Sequence, residues 1–303
     1  MIYYKKYDIL KVDKTKEKNY EKIQNLYWKK DFIVDEEIRN LTGTRTKKMA
    51  FIIKTKGKAI LKYNKYLNCT ELASEKIAYE ISNVLGFNCA RIELAKDING
   101  IPAVLNFYFL KKDNIHNDAL YYLRKLGNSR EEYHTLDNVL KLLKNQNGNM
   151  VYDFLKIMVF DSLIGEQDRH EENWGITKGL DNTIKLSPIY DNGCSLLRDQ
   201  FANLDELLNN SEKMNNYINR SKSLIYDETG KRYKHFDLVS KLLNIYPQQM
   251  REIISTLKNL KNTDIEEIVT AIPENYLPEK HKKCIIIFIK KRRDILLDKL
   301  GDE

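Results

Sequence analysis

Apolar positions follow two different rhythms along the chain. The runs MAFIIKTKG and KAILKYN are Ile-rich and separated at Gly57, which predicts a β-hairpin. In ELASEKIAYEISNVLGF the apolar residues Leu72, Ala73, Ile77, Ile81, Val84 and Leu85 recur at helical spacing. Gly86 is the expected stop of that helix. GIPAVLNFYFL, Gly100 to Leu110, predicts another strand, and the KKDNIHND stretch after it is polar and turn-prone. A boundary placed there divides the chain into an N-terminal lobe, 1–112, and a C-terminal lobe, 113–303. From about residue 115 helical patterns dominate. Tyr152 to Ile164 is apolar on nearly every side, as in a helix buried in a core. Residues 236–260 and 285–300 predict further helices, the latter amphipathic and very basic. The expected fold class is α+β, a small strand-rich lobe followed by a larger helical one.

One segment breaks this pattern with unusual polarity between apolar elements. It is FDSLIGEQDRHEENWGITKGLDNTIKLSPIYDNGCSL, Phe160 to Leu196. After the buried helix the chain turns at Gly165 and releases Asp168, Arg169, His170, Glu171, Glu172 and Asn173 in a row. A strand-like stretch, Thr183 to Tyr190, with Ile184 and Leu186 alternating, then delivers Asp191-Asn192-Gly193. Asp168 and Asn173 have the spacing of the Asp and Asn in a kinase catalytic loop, and Asp191 precedes a Gly by two, like the Asp of a DFG triplet. Phosphoryl transfer needs such a set. One carboxylate orients or deprotonates the attacking hydroxyl, and a second carboxylate with an amide oxygen holds Mg²⁺ against the phosphates. A lone pair at this spacing would more simply be turn and cap residues. The joint pattern, flanked by a buried helix and a strand, argues for chemistry.

Composition narrows the classes. The 303 residues are 42% hydrophobic and 31% charged, an ordinary globular balance that excludes a disordered chain. The apolar run Cys284 to Ile289 is far shorter than the ~20 residues of a membrane span. MIYYKKYDIL lacks the apolar core of a signal peptide, so a cytoplasmic protein is expected, or one delivered to a host cell without a classical signal. The net charge of +8 says little about partners. The basic clusters Lys280–Lys283 and Lys290–Arg293 are read as a solvated helix face, and direct nucleic-acid binding is not expected. Cys69, Cys89, Cys194 and Cys284 form no CxxC pair and fit reduced thiols.

FDSLIGEQDRHEENWG followed by LSPIYDNGCSL closely resembles the HipA-like serine/threonine kinases, with their DRHxxNxG loop and YDxG or YDxxS segment. The length resembles compact members of the family, of the cell-translocating kinase type. The resemblance implies a two-lobed protein-kinase-like fold that binds ATP and Mg²⁺. It makes Asp168 the catalytic Asp, Asn173 and Asp191 the metal ligands, and Arg169 and His170 loop-shaping residues, His170 being packed or hydrogen-bonded rather than the base. TGTRTKKMAFI stands where the family has a phosphate loop: Gly43 and Thr44 would approach the nucleotide, and Lys47 or Lys48 would touch a phosphate. There is one glycine here rather than GxGxxG, so backbone cradling of phosphate is weaker. Lys62 fits the strand lysine and Glu75 its helix partner, although an alternating strand would ordinarily send Lys62 to solvent. Lys54 and Lys58 rival Lys62, and Glu71 and Glu80 rival Glu75. The adenine hinge is expected within Asn106 to Leu110, including Phe109.

The implied activity is transfer of a phosphoryl group from ATP to a protein Ser or Thr, with autophosphorylation near Thr42 to Thr46 and a toxin- or effector-like role. Expected partners are a protein substrate and an antitoxin or host protein. The alternatives are a lipid or small-molecule kinase, of phosphoinositide or antibiotic phosphotransferase type, and a pseudokinase that acts by binding.

Overall fold

In the computed structural model the two Ile-rich runs are neighbouring antiparallel strands of a larger sheet. The structure describes residues 25–27, 29–35, 47–66 and 69–301. The strands are β1 (Leu26–Tyr27), β2 (Phe32–Asp35), β3 (Lys47–Ile52), β4 (Lys58–Lys62), β5 (Ile92–Lys96) and β6 (Pro102–Phe107), paired in the order β1-β5-β6-β4-β3-β2. All pairs are antiparallel except β1 with β5. Side chains alternate across this sheet, as the two-residue period of a strand requires. Ala59, Leu61, Ala103 and Leu105 bury one face in a small cluster with Phe32 and Ala50. Ile92, Leu94 and Val104 face the other way, into the main core with helix α1 (Glu71–Leu85). Helix α1 stops as expected at Gly86, whose left-handed φ of 69° suits a residue without Cβ.

The predicted strand over 100–110 is shorter than expected. It ends at Phe107, because Tyr108 to Leu110 leave the sheet for the cleft. The KKDNIHND stretch also departs from expectation, since Ile115–Asp118 forms β7. It pairs with β8 (Gly175–Lys178), which pairs with β9 (Ile184–Leu186). No apolar alternation announced β7, because its side chains His116 and Asp118 line a polar cleft rather than a core. The strand expected over 183–190 is only the three residues of β9.

Helices α2 (Ala119–Leu123), α3 (Arg130–Tyr133), α4 (Leu136–Gln146) and α5 (Asn149–Ile164) precede β8. The apolar circumference of α5 is explained by its position, with Phe154, Leu155, Met158, Val159, Phe160, Leu163 and Ile164 all in the main core. After β9 come α6 (Leu204–Asn209), α7 (Ser211–Arg220), the ribbon of β10 (Lys222–Tyr226) and β11 (Arg232–Lys234), then α8 (His235–Ile245), α9 (Pro247–Ser255), α10 (Asn262–Thr270) and α11 (Glu279–Asp298). The stretch 236–260 is therefore broken at Pro247, which cannot donate to a continuing helix and instead begins a new one. Helix α11 starts at Glu279, earlier than expected. Its basic cluster is not wholly a solvated face. Arg292 is fully buried, donating to Ser162 O at 2.7 Å and Ile218 O at 3.1 Å. All four cysteines are free thiols. Among the described residues no helix is long and apolar enough to cross a membrane.

Candidate active site

Helix α5 delivers the polar loop through a turn that only glycine fits. Gly165 has a φ of 69°, and a Cβ there would stand 2.6 Å from the Phe288 ring. The loop that follows is organised by Arg169, 1% exposed. Its guanidinium grips Asp161 on α5 at 2.9 Å, Asn192 Oδ1 at 2.6 Å and Asn173 O at 3.2 Å, and also donates to Tyr190 O. One side chain thus ties the buried helix, the Asp168–Asn173 loop and the Asp191 segment together. Burial opposes the Arg169 charge, but the Asp161 carboxylate more than offsets it, and the Arg169 pKa lies above its ordinary value.

Asp168 is held from two sides. Its N–H donates to Glu166 Oε1 at 2.7 Å, and its carbonyl accepts from Asn173 Nδ2 at 2.8 Å. With the Asn173 nitrogen so engaged, the amide oxygen is the group left to meet a ligand in the cleft, which Asn173 lines. His170 also lines the cleft, where its Nδ1 accepts from Glu172 N at 3.2 Å. The expected hydrogen-bonded role of His170 agrees with this contact.

Across the cleft, Lys62 is only 4% exposed despite the strand alternation. It lies at the end of β4, where its Nζ reaches Glu75 Oε1 at 3.0 Å and Asp191 Oδ1 at 3.2 Å. A buried ammonium needs such partners. Glu75 Oε2 also accepts from Asn192 N at 3.4 Å, joining α1 to the Asp191 segment. The rivals stand elsewhere. Glu80 pairs with Lys76 at 2.6 Å, Glu71 pairs with Arg198, and Lys54 and Lys58 are exposed.

The cleft has a volume of about 550 Å³. The hinge expected over Asn106–Leu110 lines it throughout, and Phe109 stacks on Tyr190 with centroids 5.6 Å apart. Lys47, opposite Lys62 in the β3–β4 register, lines the cleft as well. Lys48 is corrected: as the next residue on a strand it faces the other side of the sheet. Arg169, expected to shape the loop, is buried behind it and does not line the cleft, so it positions other groups and meets no ligand itself. Gly43 and Thr44 lie outside the described residues.

Cleft residues not anticipated include His116, Asp118, Tyr190 and Cys194. Tyr190 OH donates to Glu172 O at 2.9 Å and lies 3.3 Å from Asp118 Oδ1. Burial first, then the Asp118 charge, pushes its phenol well above the ordinary value. The alternation of His116 and Asp118 along one strand face was a usable signal, but polar strands are easily mistaken for turns. Glu166 was also missed. It is fully buried, its Oε2 finds no hydrogen-bond partner among the described residues, and burial raises its carboxyl to about 8.

Among the described residues no three His, Cys, Asp or Glu side chains cluster to hold a metal unaided. The Asp191 carboxylate and the Asn173 amide oxygen are hard donors that suit Mg²⁺, which commonly takes one or two protein ligands and completes its shell with water and phosphate. The donor set therefore fits the ion.

The chain is similar to known proteins. The model of the HipA-like C-terminal domain matches residues 39–265. Serine/threonine-protein kinase CtkA of Helicobacter pylori is 24% identical over 234 residues, 73% of this chain. The match spans only 58% of that relative's length. The solved structure of the Helicobacter pylori proinflammatory kinase CtkA superposes with a TM-score of 0.77 at 19% identity, covering 91% of this chain and 99% of that one. HipA of a Shewanella oneidensis toxin–antitoxin system, solved with HipB and operator DNA, gives a TM-score of 0.60 at 15% identity, covering 87% and 67%. The strand-rich N-terminal and helical C-terminal arrangement is thus the fold of these proteins.

Proposed function

The chain belongs to the HipA-like C-terminal domain family, and from that premise we propose that it is an ATP- and Mg²⁺-dependent serine/threonine protein kinase of two-lobed protein-kinase architecture. The observation that carries the reading is the position of Lys62, within 3.2 Å of both Glu75 and Asp191 across a cleft that Asp168 and Asn173 line. A surface ion pair would need none of this burial.

In this reading the hinge and the Phe109–Tyr190 stack hold the adenine. Glu75 keeps Lys62 aimed at the phosphates, and Lys47 adds a second positive charge over them. Asn173 and Asp191 would hold Mg²⁺, which supplies charge neutralisation on the phosphates when bound. Asp168 accepts a hydrogen bond from the attacking hydroxyl, orients it and takes its proton. Arg169 keeps these groups in register from behind. The rate gain comes from positioning and electrostatics.

Thr42, Thr44 and Thr46 are proposed sites of autophosphorylation. They lie outside the described residues; a phosphate there adds about −1.5 to −2 charges, which would oppose binding of the nucleotide phosphates. HipA's co-structure with HipB motivates a further proposal, a protein partner for this chain in the manner of an antitoxin or a host target.

The test is incubation of the purified protein with labelled ATP, Mg²⁺ and a mixed protein substrate, followed by mass spectrometry of the labelled residues. Label on Ser or Thr that disappears with Asp168→Ala supports the reading. Label on an inositol lipid or aminoglycoside, with none on protein, replaces it by a lipid or small-molecule kinase.

A further inference from the structure

A second cavity, of about 440 Å³, meets the cleft at Asp168 and Cys194, which line both. Its walls are Gly165 and Gln167 of the turn, Ser195, the chain from Leu197 to Gln200, and Tyr217 on α7. We propose that this cavity is the acceptor channel, through which a seryl or threonyl hydroxyl on a polypeptide reaches Asp168, with polar residues flanking that hydroxyl. This rests on the protein-kinase reading and deepens it.

Three observations carry the proposal. The first is connectivity. In-line transfer brings donor and acceptor to the phosphorus from opposite sides, so the orienting carboxylate must be reachable from two spaces. Among the described residues Asp168 and Cys194 are common to both cavities, and Asp168 Oδ2 accepts from the Cys194 thiol at 3.4 Å. The balanced step uses both spaces. The acceptor oxygen forms a bond to the γ-phosphorus as its proton passes to the Asp168 carboxylate. The bond from that phosphorus to the bridging oxygen breaks, and ADP departs with the electron pair.

The second observation is backbone strain at Leu197, which lines the channel, and at Leu196, which precedes it. Leu196 and Leu197 both have left-handed φ, 52° and 61°, which bulky side chains rarely adopt. Both are buried, and Leu196 N donates to Ile164 O at 3.1 Å, so the core holds them there. Strain of this kind persists where the surroundings enforce it and concentrates at functional sites. Just beyond it Arg198 pairs with Glu71 on α1, the helix that also carries Glu75, and Asp199 and Gln200 line the cavity.

The third observation is the chemistry of the wall. Gln167, Arg198, Asp199 and Gln200 offer amides and charges, with Tyr217 opposite them. Such a surface can hydrogen-bond a polypeptide and its polar neighbours. It presents no apolar trough for an acyl chain.

The test uses a degenerate peptide library with a fixed central Ser or Thr, phosphorylated by the full chain and by two variants. Gln200→Trp fills the channel. Asp199→Arg reverses a charge at an exposed position and serves where the first variant does not fold, as judged by circular dichroism. Expected is a rise of at least ~10-fold in the KM for peptide, with the Kd for Mg·ATP changed by less than about twofold. Peptide KM unchanged in a folded variant overturns the channel while leaving the kinase reading in place. Equal loss of ATP and peptide binding also overturns it, because the two cavities would then be one site. Mg·ATP binding by the parent protein with no peptide modified removes the protein-kinase reading, and the channel with it.

Discussion

Arg169 and Asp161 form a buried ion pair, Nη2 to Oδ1 at 2.9 Å, with both side chains at most 2% exposed. The pair fastens the Asp168 loop to the helix before it. A buried pair adds little over an apolar replacement, but removing one partner strands a charge. Arg169→Leu should therefore cost ~3–5 kcal/mol of stability, while adding Asp161→Leu to it should recover a large part of the loss. Urea unfolding of the single and double variants measures this. A double variant no more stable than Arg169→Leu would mean that the contacts to Asn173, Tyr190 and Asn192 matter more than the charge pairing.

The legible parts of this molecule were those whose signal is local. Helix α1 and its Gly86 stop follow from spacing, and α5 from its apolar circumference. Asp168, Asn173 and Asp191 stood out because carboxylates and an amide are released between apolar elements. Lys62 was legible only through resemblance, because its burial depends on Glu75 from another element. His116 and Asp118 escaped notice because a strand facing a polar cleft shows no apolar rhythm. Arg292 read as surface charge, and only the packing of α11 against α5 and α7 turns it inward. Glu166 has no sequence signal, since its significance lies in burial beside Asp168.

Asp191→Asn should reduce phosphoryl transfer by at least ~100-fold, equivalent to more than ~2.7 kcal/mol of transition-state stabilisation. The amide keeps the side-chain shape but loses the charge that Lys62 faces and that would hold the proposed divalent ion. Folding should survive, because Asp191 is partly exposed beyond β9. Steady-state kinetics beside a melting curve checks both halves. Near-normal turnover in the folded variant would remove Asp191 from the metal site.

Asp168→Asn should separate binding from transfer. If Asp168 meets the acceptor hydroxyl as proposed, its loss should abolish measurable transfer while ATP affinity stays within ~10-fold, or ~1.4 kcal/mol. Its backbone contacts to Glu166 and Asn173 do not use the carboxylate and should persist. Titration with a fluorescent ATP analogue alongside labelled-ATP transfer reads the two effects. A parallel loss of both would make Asp168 a nucleotide ligand.

Glu166 should make stability fall as pH rises. Burial lifts its carboxyl from 4.5 to about 8, with Asp161 and Asp168 adding negative charge nearby and Arg169 opposing them. The folded state therefore holds a proton that the unfolded state releases. The group's stabilising contribution is full below pH 4.5 and is lost progressively as pH climbs to about 8. The slope can reach ~1.4 kcal/mol per pH unit inside that window. Buried His134 works in the opposite sense. Burial lowers its pKa from 6.5 to about 4, so its contribution is present above 6.5 and fades as pH drops. The two trends overlap, and a single pH profile cannot separate them. Glu166→Gln can. The amide oxygen still accepts from Asp168 N–H and the side-chain volume is kept, but the titration is gone. Urea midpoints measured from pH 5 to 8.5 should decline more steeply for the parent than for Glu166→Gln, with the gap opening as pH rises. Parallel curves would show that Glu166 stays ionised in the fold, with Arg169 able to carry its charge.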